Sequence, residues 1–484
     1  MSPQARHATR QRAATDILMQ VVVRVLNLAV GVVVTAIVVR TLGKAGYGEW
    51  STLFIVITLV GYFNNFGIEG VVLREAARSP EHEHEWIGSM LMLRLIVLGP
   101  VMIICFGAIA LLSQNHSMLI AGLILLTAMP FGGVGALGLL FQLRVDNRVP
   151  MFVLTLRSIL WTIAVLIISS KGGGIIALAI GLAATNTIGS LVQGLAVLRL
   201  GVRRPRPSRK HIAHLVRVGL PIGISGLLVI AYARIDQVIV FVVKGSQQAG
   251  LYGAVYNVLD QSHFVPISIM TTLAPVLAAS WPGDRERLIR TAQLTAELLA
   301  VASFGALAFA ISAADPLVRL IFGAEFAAAA PALPVLGAAF ILICFGYLNA
   351  NLLLVLGLQQ RLLRISIAAL VVNLIGNLIL VPLFGFMGAA WMTLVTEVVV
   401  FAIALALVLR TLEIPHPSLG RLGRTALAAA VLAAILGALR LLDAPLAVLV
   451  AAACVCYPAL LFWLRALELD DIRLVLRRGR IAEG

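Results

Sequence analysis

The amino-acid sequence predicts an all-α integral membrane protein with fourteen transmembrane helices. Of its 484 residues, 61% are hydrophobic and only 12% are charged, and the mean hydropathy is +1.02. Soluble domains are about half apolar and about a quarter charged, so this composition excludes a soluble protein. The net charge of +15 would suggest nucleic-acid binding in a soluble protein. In a membrane protein it indicates basic cytoplasmic loops instead, and no nucleic-acid partner is expected.

Apolar stretches long enough to cross a bilayer follow one another along the whole chain. A crossing helix needs about 20 predominantly apolar residues. The predicted spans are residues 17–42, 48–73, 87–113, 117–142, 149–170, 174–198, 214–243, 250–280, 292–313, 330–356, 361–383, 386–409, 422–442 and 445–465.

The distribution of basic residues predicts the orientation of these spans. With the N-terminus inside, the inside segments hold 27 Lys and Arg residues and the outside segments hold six. Lys and Arg accumulate on the cytoplasmic side of membrane proteins. We therefore expect both termini in the cytoplasm and an even number of helices.

The sequence also repeats once. LGKAGYGEWS, residues 42–51, is echoed by KGSQQAGLYGAVYN, residues 244–257, and the fifth and sixth spans resemble the eleventh and twelfth. Repeats with an even number of spans are parallel, related by an axis along the membrane normal. This pattern predicts two pseudo-symmetric six-helix bundles, a transporter architecture, with two further helices at the C-terminus.

Four segments follow from the repeat. Residues 1–199 form an N-terminal lobe with helices 1–6, and the proline-containing, basic residues 200–213 form a cytoplasmic linker. Residues 214–410 form a C-terminal lobe with helices 7–12. Residues 411–484 contain helices 13 and 14 and a basic cytoplasmic tail.

Four stretches carry a family resemblance: VRTLGKAGYGEW, FNNFGIEGVVLREAAR, YARIDQVIVFVVKGSQQAGLYGAVY and LVPLFGFMGAAWMTLVTE. With them the chain resembles the polysaccharide and O-antigen (Wzx-like) flippases of the MOP exporter superfamily. The resemblance implies alternating access around a central cavity, which moves a lipid-diphosphate-linked oligosaccharide to the outer leaflet for cell-surface polysaccharide biosynthesis. It also implies a bacterial plasma (inner) membrane location. One departure is Asn65, where family members often carry Asp.

Four arginines lie within predicted spans, on helices 1, 3, 5 and 7: Arg24, Arg94, Arg157 and Arg234. An arginine at mid-membrane depth costs about 2.5–3.5 kcal/mol and usually faces a cavity or the bundle interior. Arginine also grips phosphate in bidentate fashion. We expect Arg24, with Asn27 on its helix face, and Arg234 to bind the diphosphate, while Arg94 and Arg157 guide its access. Buried structural pairs and snorkelling side chains are the alternatives.

Carboxylates within the spans are candidates for coupling transport to a proton or sodium ion. They are Asp236, Glu69, Asp260, Glu297 and Glu397. Neutralisation of the arginines is the alternative role. We expect membrane lipids and the lipid-linked oligosaccharide as further partners, and a chain that acts as a monomer or within a biosynthetic complex.

Other motifs predict no cofactor or metal. EHEHE, residues 81–85, is interpreted as a solvated cytoplasmic loop, since no further ligand stands at metal-binding spacing. GVGALG, residues 133–138, lies in a membrane helix and follows no strand, so it is not a dinucleotide site. The competing functions are a multidrug or cation antiporter of the same superfamily, which favours cavity carboxylates, and a polytopic polysaccharide polymerase or ligase, which needs catalytic external loops.

Overall fold

The computed structural model describes residues 3–65, 67–144, 148–200, 205–414 and 420–466, and side chains from residue 29 onward. Within these ranges the chain is helical and contains no strand. Its helices are α1 (Pro3–Gly61), α2 (Ile68–Arg78), α3 (Glu83–Leu112), α4 (His116–Leu126), α5 (Met129–Gly135), α6 (Leu139–Leu143), α7 (Arg148–Ser170), α8 (Ile175–Leu198), α9 (Arg209–Ser262), α10 (Phe264–Ser280), α11 (Arg285–Phe322), α12 (Ala332–Val355), α13 (Gln359–Phe384), α14 (Phe386–Thr411), α15 (Gly420–Leu441) and α16 (Leu446–Trp463).

The protein is a multi-pass membrane protein. Twelve helical stretches among the described residues are long and apolar enough to cross a bilayer. Two of them, Ala29–Arg78 and Arg209–Ser280, contain 50 and 72 residues, whereas one crossing takes about 20. The count of fourteen helices therefore stays a prediction.

Three of the predicted spans are not continuous helices, and one of them, residues 250–280, is interrupted at His263 between α9 and α10. The span at residues 48–73 was expected to be one helix, but the helix ends at Gly61, a 3-10 turn follows, and α2 begins after Gly67. Gly67 has φ 67°, a conformation that side chains disfavour. The span at residues 117–142 is likewise divided into α4, α5, a 3-10 turn and α6.

Glycine breaks occur at equivalent points of the two sequence repeats. Gly43 has φ 64° and ψ −176° inside α1, and Gly245 has φ 82° and ψ 178° inside α9. The two residues are 202 positions apart and share one conformation, which only glycine adopts readily. The internal duplication thus includes backbone geometry as well as sequence.

The same two turns contact each other through glycines. A β-carbon on Gly48 would strike the backbone carbonyl of Ser246, and one on Gly250 would strike the carbonyl of Lys44. Gly48 therefore approaches Ser246, which follows the break at Gly245. Gly250 approaches Lys44, which follows the break at Gly43. We call the four contacting residues the glycine crossing. Because backbone lies on both sides of each contact, no side chain can be accommodated there.

The described structure divides into two compact units, Met1–Gly250 and Leu251–Gly484. The lobe boundaries expected at residues 199 and 214 stay a prediction. In the first unit, α8 packs against α4, α5 and α7, and α1 packs against α3 and α7. Trp50 and Trp161 stack with their ring centroids 6.2 Å apart, which fixes α7 against α1.

The segment of residues 205–214, here called the strap, docks on the beginning of α3. The Arg206 amide donates to the His84 carbonyl at 3.1 Å, and the Ser208 amide donates to the Ser89 hydroxyl at 3.0 Å. A β-carbon on Gly88 would strike the Arg206 backbone. The strap is therefore packed closely on α3.

The strap corrects the interpretation of EHEHE as a simple solvated loop. The rings of Trp86 and His211 lie 4.0 Å apart, and the His211 Nδ1 lies 3.2 Å from a Glu85 carboxylate oxygen. The His211 side chain is only 12% exposed. The partner of this segment was missed because it lies more than 120 residues further along the chain.

In the second unit, α12 lies between α11 and α14, and α13 packs against α14. The C-terminal pair α15 and α16 packs on α11, where the Tyr457 hydroxyl donates to the Val301 carbonyl at 2.7 Å. An ion pair at 3.1 Å joins Glu297 of α11 to Arg421 of α15.

Candidate functional site: a polar cavity in the first unit

A cavity of about 380 Å³ lies inside the first unit. Residues of α1, α2, α4, α5, α7 and α8 line it, and its wall is apolar where Phe54, Leu125 and Met129 contribute. Its polar lining comes from a small set of residues, namely Glu69, Arg157, Asn186, Ser190 and Gln193. An apolar pocket with a few convergent polar groups is the usual form of a small-ligand site.

Arg157 provides the positive charge of this wall. It lies nine residues into α7, about 14 Å along the helix from Arg148. One guanidinium nitrogen donates to the Ser190 hydroxyl of α8 at 2.8 Å, while its buried Nε has no hydrogen-bond partner in the described part of the chain. No carboxylate among the described residues pairs with it. A membrane-embedded guanidinium that lacks a carboxylate partner can bind an anion.

Glycines make room for the arginine. A β-carbon on Gly189 of α8 would strike the Arg157 side chain, and one on Gly135 of α5 would approach both Ser190 and Arg157. The Arg157 side chain therefore lies flat across α8. The glycine-rich run at residues 132–138, which is not a dinucleotide motif, instead supplies part of the cavity wall.

Glu69, in the first turn of α2, lines the same cavity and forms an ion pair with Arg94. A guanidinium nitrogen of Arg94 lies 2.6 Å from its carboxylate and also donates to the Asn65 side-chain oxygen at 2.8 Å. The Arg94 side chain is 7% exposed, whereas that of Glu69 is 40% exposed. The break in the predicted second span places Asn65 and Glu69 around Arg94.

The electrostatic balance of this region is positive. Two guanidinium groups, Arg94 and Arg157, accompany the single carboxylate of Glu69, so one positive charge is in excess among these residues. That charge resides on Arg157, since Glu69 neutralises Arg94.

Helix α8 contributes a polar stripe that sequence reasoning missed. Asn186, Ser190 and Gln193 follow at intervals of four and three residues, which places them on one helix face. Within the described part of the chain, neither the Asn186 nor the Gln193 side-chain amide has a hydrogen bond to protein. Their spacing in an apolar helix is the sequence signal for this stripe, although none of the three residues is charged.

The remaining predicted residues lie elsewhere. Arg24 and Asn27 fall outside the described side chains. Arg234 is half-buried in α9, and neighbouring Asp236 is buried and accepts from the Gln237 amide at 2.8 Å. Neither Arg234 nor Asp236 is among the described residues that line the cavity.

The last three predicted carboxylates belong to the second unit. Asp260 is half-buried near the end of α9, and Glu397 is buried in α14. Glu297 forms the ion pair with Arg421, which suits a structural role better than ion coupling.

The fold is that of transporters of known structure. The structure is similar to the lipid II flippase MurJ in an inward closed conformation, with a TM-score of 0.71 over 93% of this chain and 99% of that one, at 14% identity. It is also similar to an inward-facing multidrug resistance MATE transporter of the MOP superfamily, with a TM-score of 0.68 over 81% of this chain and 95% of that one, at 18% identity.

The family model described as polysaccharide biosynthesis protein matches residues 13–281, more than half of the chain. The chain belongs to this family. The predicted membership of a polysaccharide biosynthesis family is thereby confirmed.

Two curated relatives come from the archaeon Haloferax volcanii. The probable low-salt glycan biosynthesis flippase Agl15 is 24% identical over 370 residues, which cover 72% of this chain and 74% of the relative. The probable flippase AglR is 24% identical over 382 residues, which cover 76% and 77%.

Proposed function

We propose that the chain flips a lipid-diphosphate-linked oligosaccharide from the cytoplasmic to the outer leaflet for cell-surface polysaccharide biosynthesis. The observation that carries the proposal is Arg157, a guanidinium on a cavity wall, bonded to Ser190 and paired with no carboxylate among the described residues. Charge-assisted hydrogen bonds from arginine to phosphate are short and bidentate, so this group suits a diphosphate. Two relatives carry the name of probable flippases.

The arginines take different parts in this proposal. Arg157 grips the diphosphate, and Arg24 and Arg234 remain proposed contacts along its path. Arg94 is held by Glu69 and Asn65, so we assign it to positioning Glu69 rather than to direct contact with the diphosphate. This weighting differs from the expectation that Arg24 and Arg234 are the principal binding residues.

The energetics favour export of an anion. A cell interior is electrically negative, and moving one charge through the membrane potential is worth about 2.3 kcal/mol per 100 mV. Two substrate charges would then contribute about 4–5 kcal/mol by the same rule. We propose that the protein lies in a bacterial plasma membrane with both termini cytoplasmic, as the basic residues indicate. Asp236, Asp260 and Glu397 are the proposed carboxylates for any coupling ion.

The proposal is tested at Arg157 in a strain whose surface polysaccharide depends on this chain. Arg157→Gln should lower export at least tenfold, because a hydrogen bond to a charged group contributes about 1.5–3 kcal/mol. Arg157→Lys keeps the charge without the bidentate fork, and it should retain partial activity.

The readout is the surface polysaccharide formed per amount of membrane-inserted protein. Arg199→Gln, at an exposed position at the end of α8, is the matched control and should export normally. Normal export by Arg157→Gln at normal protein level would contradict the proposal.

A further inference from the structure

The polar stripe of α8 offers hydrogen bonds that the protein itself does not use. Asn186 and Gln193 line the cavity, and neither amide bonds to another described residue. Each amide provides two donors and an accepting oxygen. Polar side chains within membrane helices normally find a partner, since leaving one unsatisfied is costly. Two open amides on one wall therefore point to a ligand with several hydroxyl groups.

The neighbours of the stripe narrow the class of ligand. Ser190, between the two amides on the helix face, binds Arg157, so an anion on the guanidinium would lie directly beside the stripe. The Glu69 side chain, 40% exposed, adds a carboxylate with oxygen to accept from hydroxyl groups. Phe54, Leu125 and Met129 close the cavity with apolar surface.

The size of the cavity limits what it can hold. Its 380 Å³ lies near the lower end of the range of about 300–1,000 Å³ typical of small-ligand pockets. One sugar ring fits this volume, whereas an oligosaccharide does not. Only the ring attached to the phosphate can reach both Arg157 and the stripe.

We propose that Asn186 and Gln193 of α8, together with Glu69, form a subsite for the first sugar ring of the lipid-linked substrate. This inference rests on the proposed function, because Arg157 is taken to hold the diphosphate to which that ring is attached. The remaining sugars stay outside the cavity. The subsite makes the flippase selective for the ring next to the phosphate and tolerant of the sugars beyond it.

The test measures lipid binding to the full-length protein in lipid nanodiscs. The probes are a polyprenyl diphosphate and the same lipid carrying one glucosyl, galactosyl or N-acetylglucosaminyl group. The native protein should bind at least one sugar-bearing lipid about tenfold more tightly than the sugar-free lipid, a modest value for a site that matches hydroxyl groups with hydrogen bonds. Equal affinity for all four lipids would overturn the subsite.

The double variant Asn186→Leu/Gln193→Leu keeps side-chain bulk and removes the hydrogen bonds. It should lower the affinity for the preferred sugar-bearing lipid to that for the sugar-free lipid. Asn186→Ala/Gln193→Ala repeats the test in case leucine disturbs folding. Gln142→Leu, an exposed amide in α6, is the matched control and should keep the preference. A double variant that keeps the full preference would contradict the proposal.

Arg157→Gln separates this inference from the proposed function. It should weaken binding of the sugar-bearing and sugar-free lipids alike, because both carry the diphosphate. If it binds the sugar-free lipid as tightly as the native protein, the proposed role of Arg157 fails. If it weakens both lipids but the double variants change nothing, only the sugar subsite fails.

Discussion

The helix pair α7–α8 of the first unit and the pair α13–α14 of the second correspond in the sequence repeat but use their polar residues differently. In the first pair, the amides of Asn186 and Gln193 open onto a cavity. In the second, Asn377 donates to Asn373 at 3.0 Å, and Asn373 donates to Thr396 at 3.3 Å, all of them buried. A polar side chain in a membrane helix thus indicates a ligand site when it has no hydrogen bond within the protein. It indicates helix packing when it bonds to a neighbouring helix.

The ion pairs of the two units differ in a similar way. In the first unit the arginine is buried, with Arg94 7% exposed, and the carboxylate of Glu69 faces the cavity. In the second unit the carboxylate is buried, with Glu297 9% exposed, and Arg421 is 31% exposed. The first arrangement leaves a carboxylate available to a ligand, whereas the second joins α11 to α15.

The largest effect is expected where the two repeats are alike, at the glycine crossing. Gly48→Val and Gly250→Val should each abolish accumulation of folded protein, since their side chains would strike backbone that cannot move aside. The measurement is the monodisperse fraction after detergent extraction. Gly107→Val is the control, because a β-carbon on Gly107 meets nothing within 4 Å. Normal yields for both crossing variants would show that the crossing is not close-packed.

A smaller effect is expected at the ion pair of the first unit. Glu69→Leu should destabilise the protein by about 3 kcal/mol, because it leaves the buried Arg94 charge without its counter-ion. The double variant Glu69→Leu/Arg94→Leu should recover most of this loss, since no buried charge remains. Thermal unfolding in detergent measures both. If the single and double variants unfold at the same temperature, the two side chains are not energetically coupled.

The smallest effect sharpens the contrast between the two helix pairs. Asn373→Leu should cost about 1 kcal/mol of stability, the usual size of a hydrogen bond between membrane helices. Asn186→Leu should cost no stability, because its amide bonds to no described residue. Unfolding temperatures of the two variants provide the comparison. If Asn186→Leu lowers the unfolding temperature more than Asn373→Leu does, then Asn186 rather than Asn373 stabilises the helix packing.

Composition was enough to predict the membrane class, and the four resembling stretches were enough to predict the family, because both depend on features spread along the chain. The depth of Arg157 and Arg94 in the apolar runs also identified them as unusual. Their different environments were not predictable, since the partners Glu69 and Ser190 lie 25 and 33 residues away from the respective arginines. The separate helix α2 was not predicted, because Gly67 lies in a stretch that was taken as one continuous span.

The docked strap has a consequence for how the protein folds while it is being translated. Its contacts at His84, Gly88 and Ser89 lie far upstream of residues 206–208, and all of them precede Gly250. The described lining of the cavity is likewise complete by Gln193. Chains generally fold from the N-terminus as the ribosome delivers them. The first unit can therefore close its own strap and build its cavity during translation, while the ribosome is still synthesising the second unit.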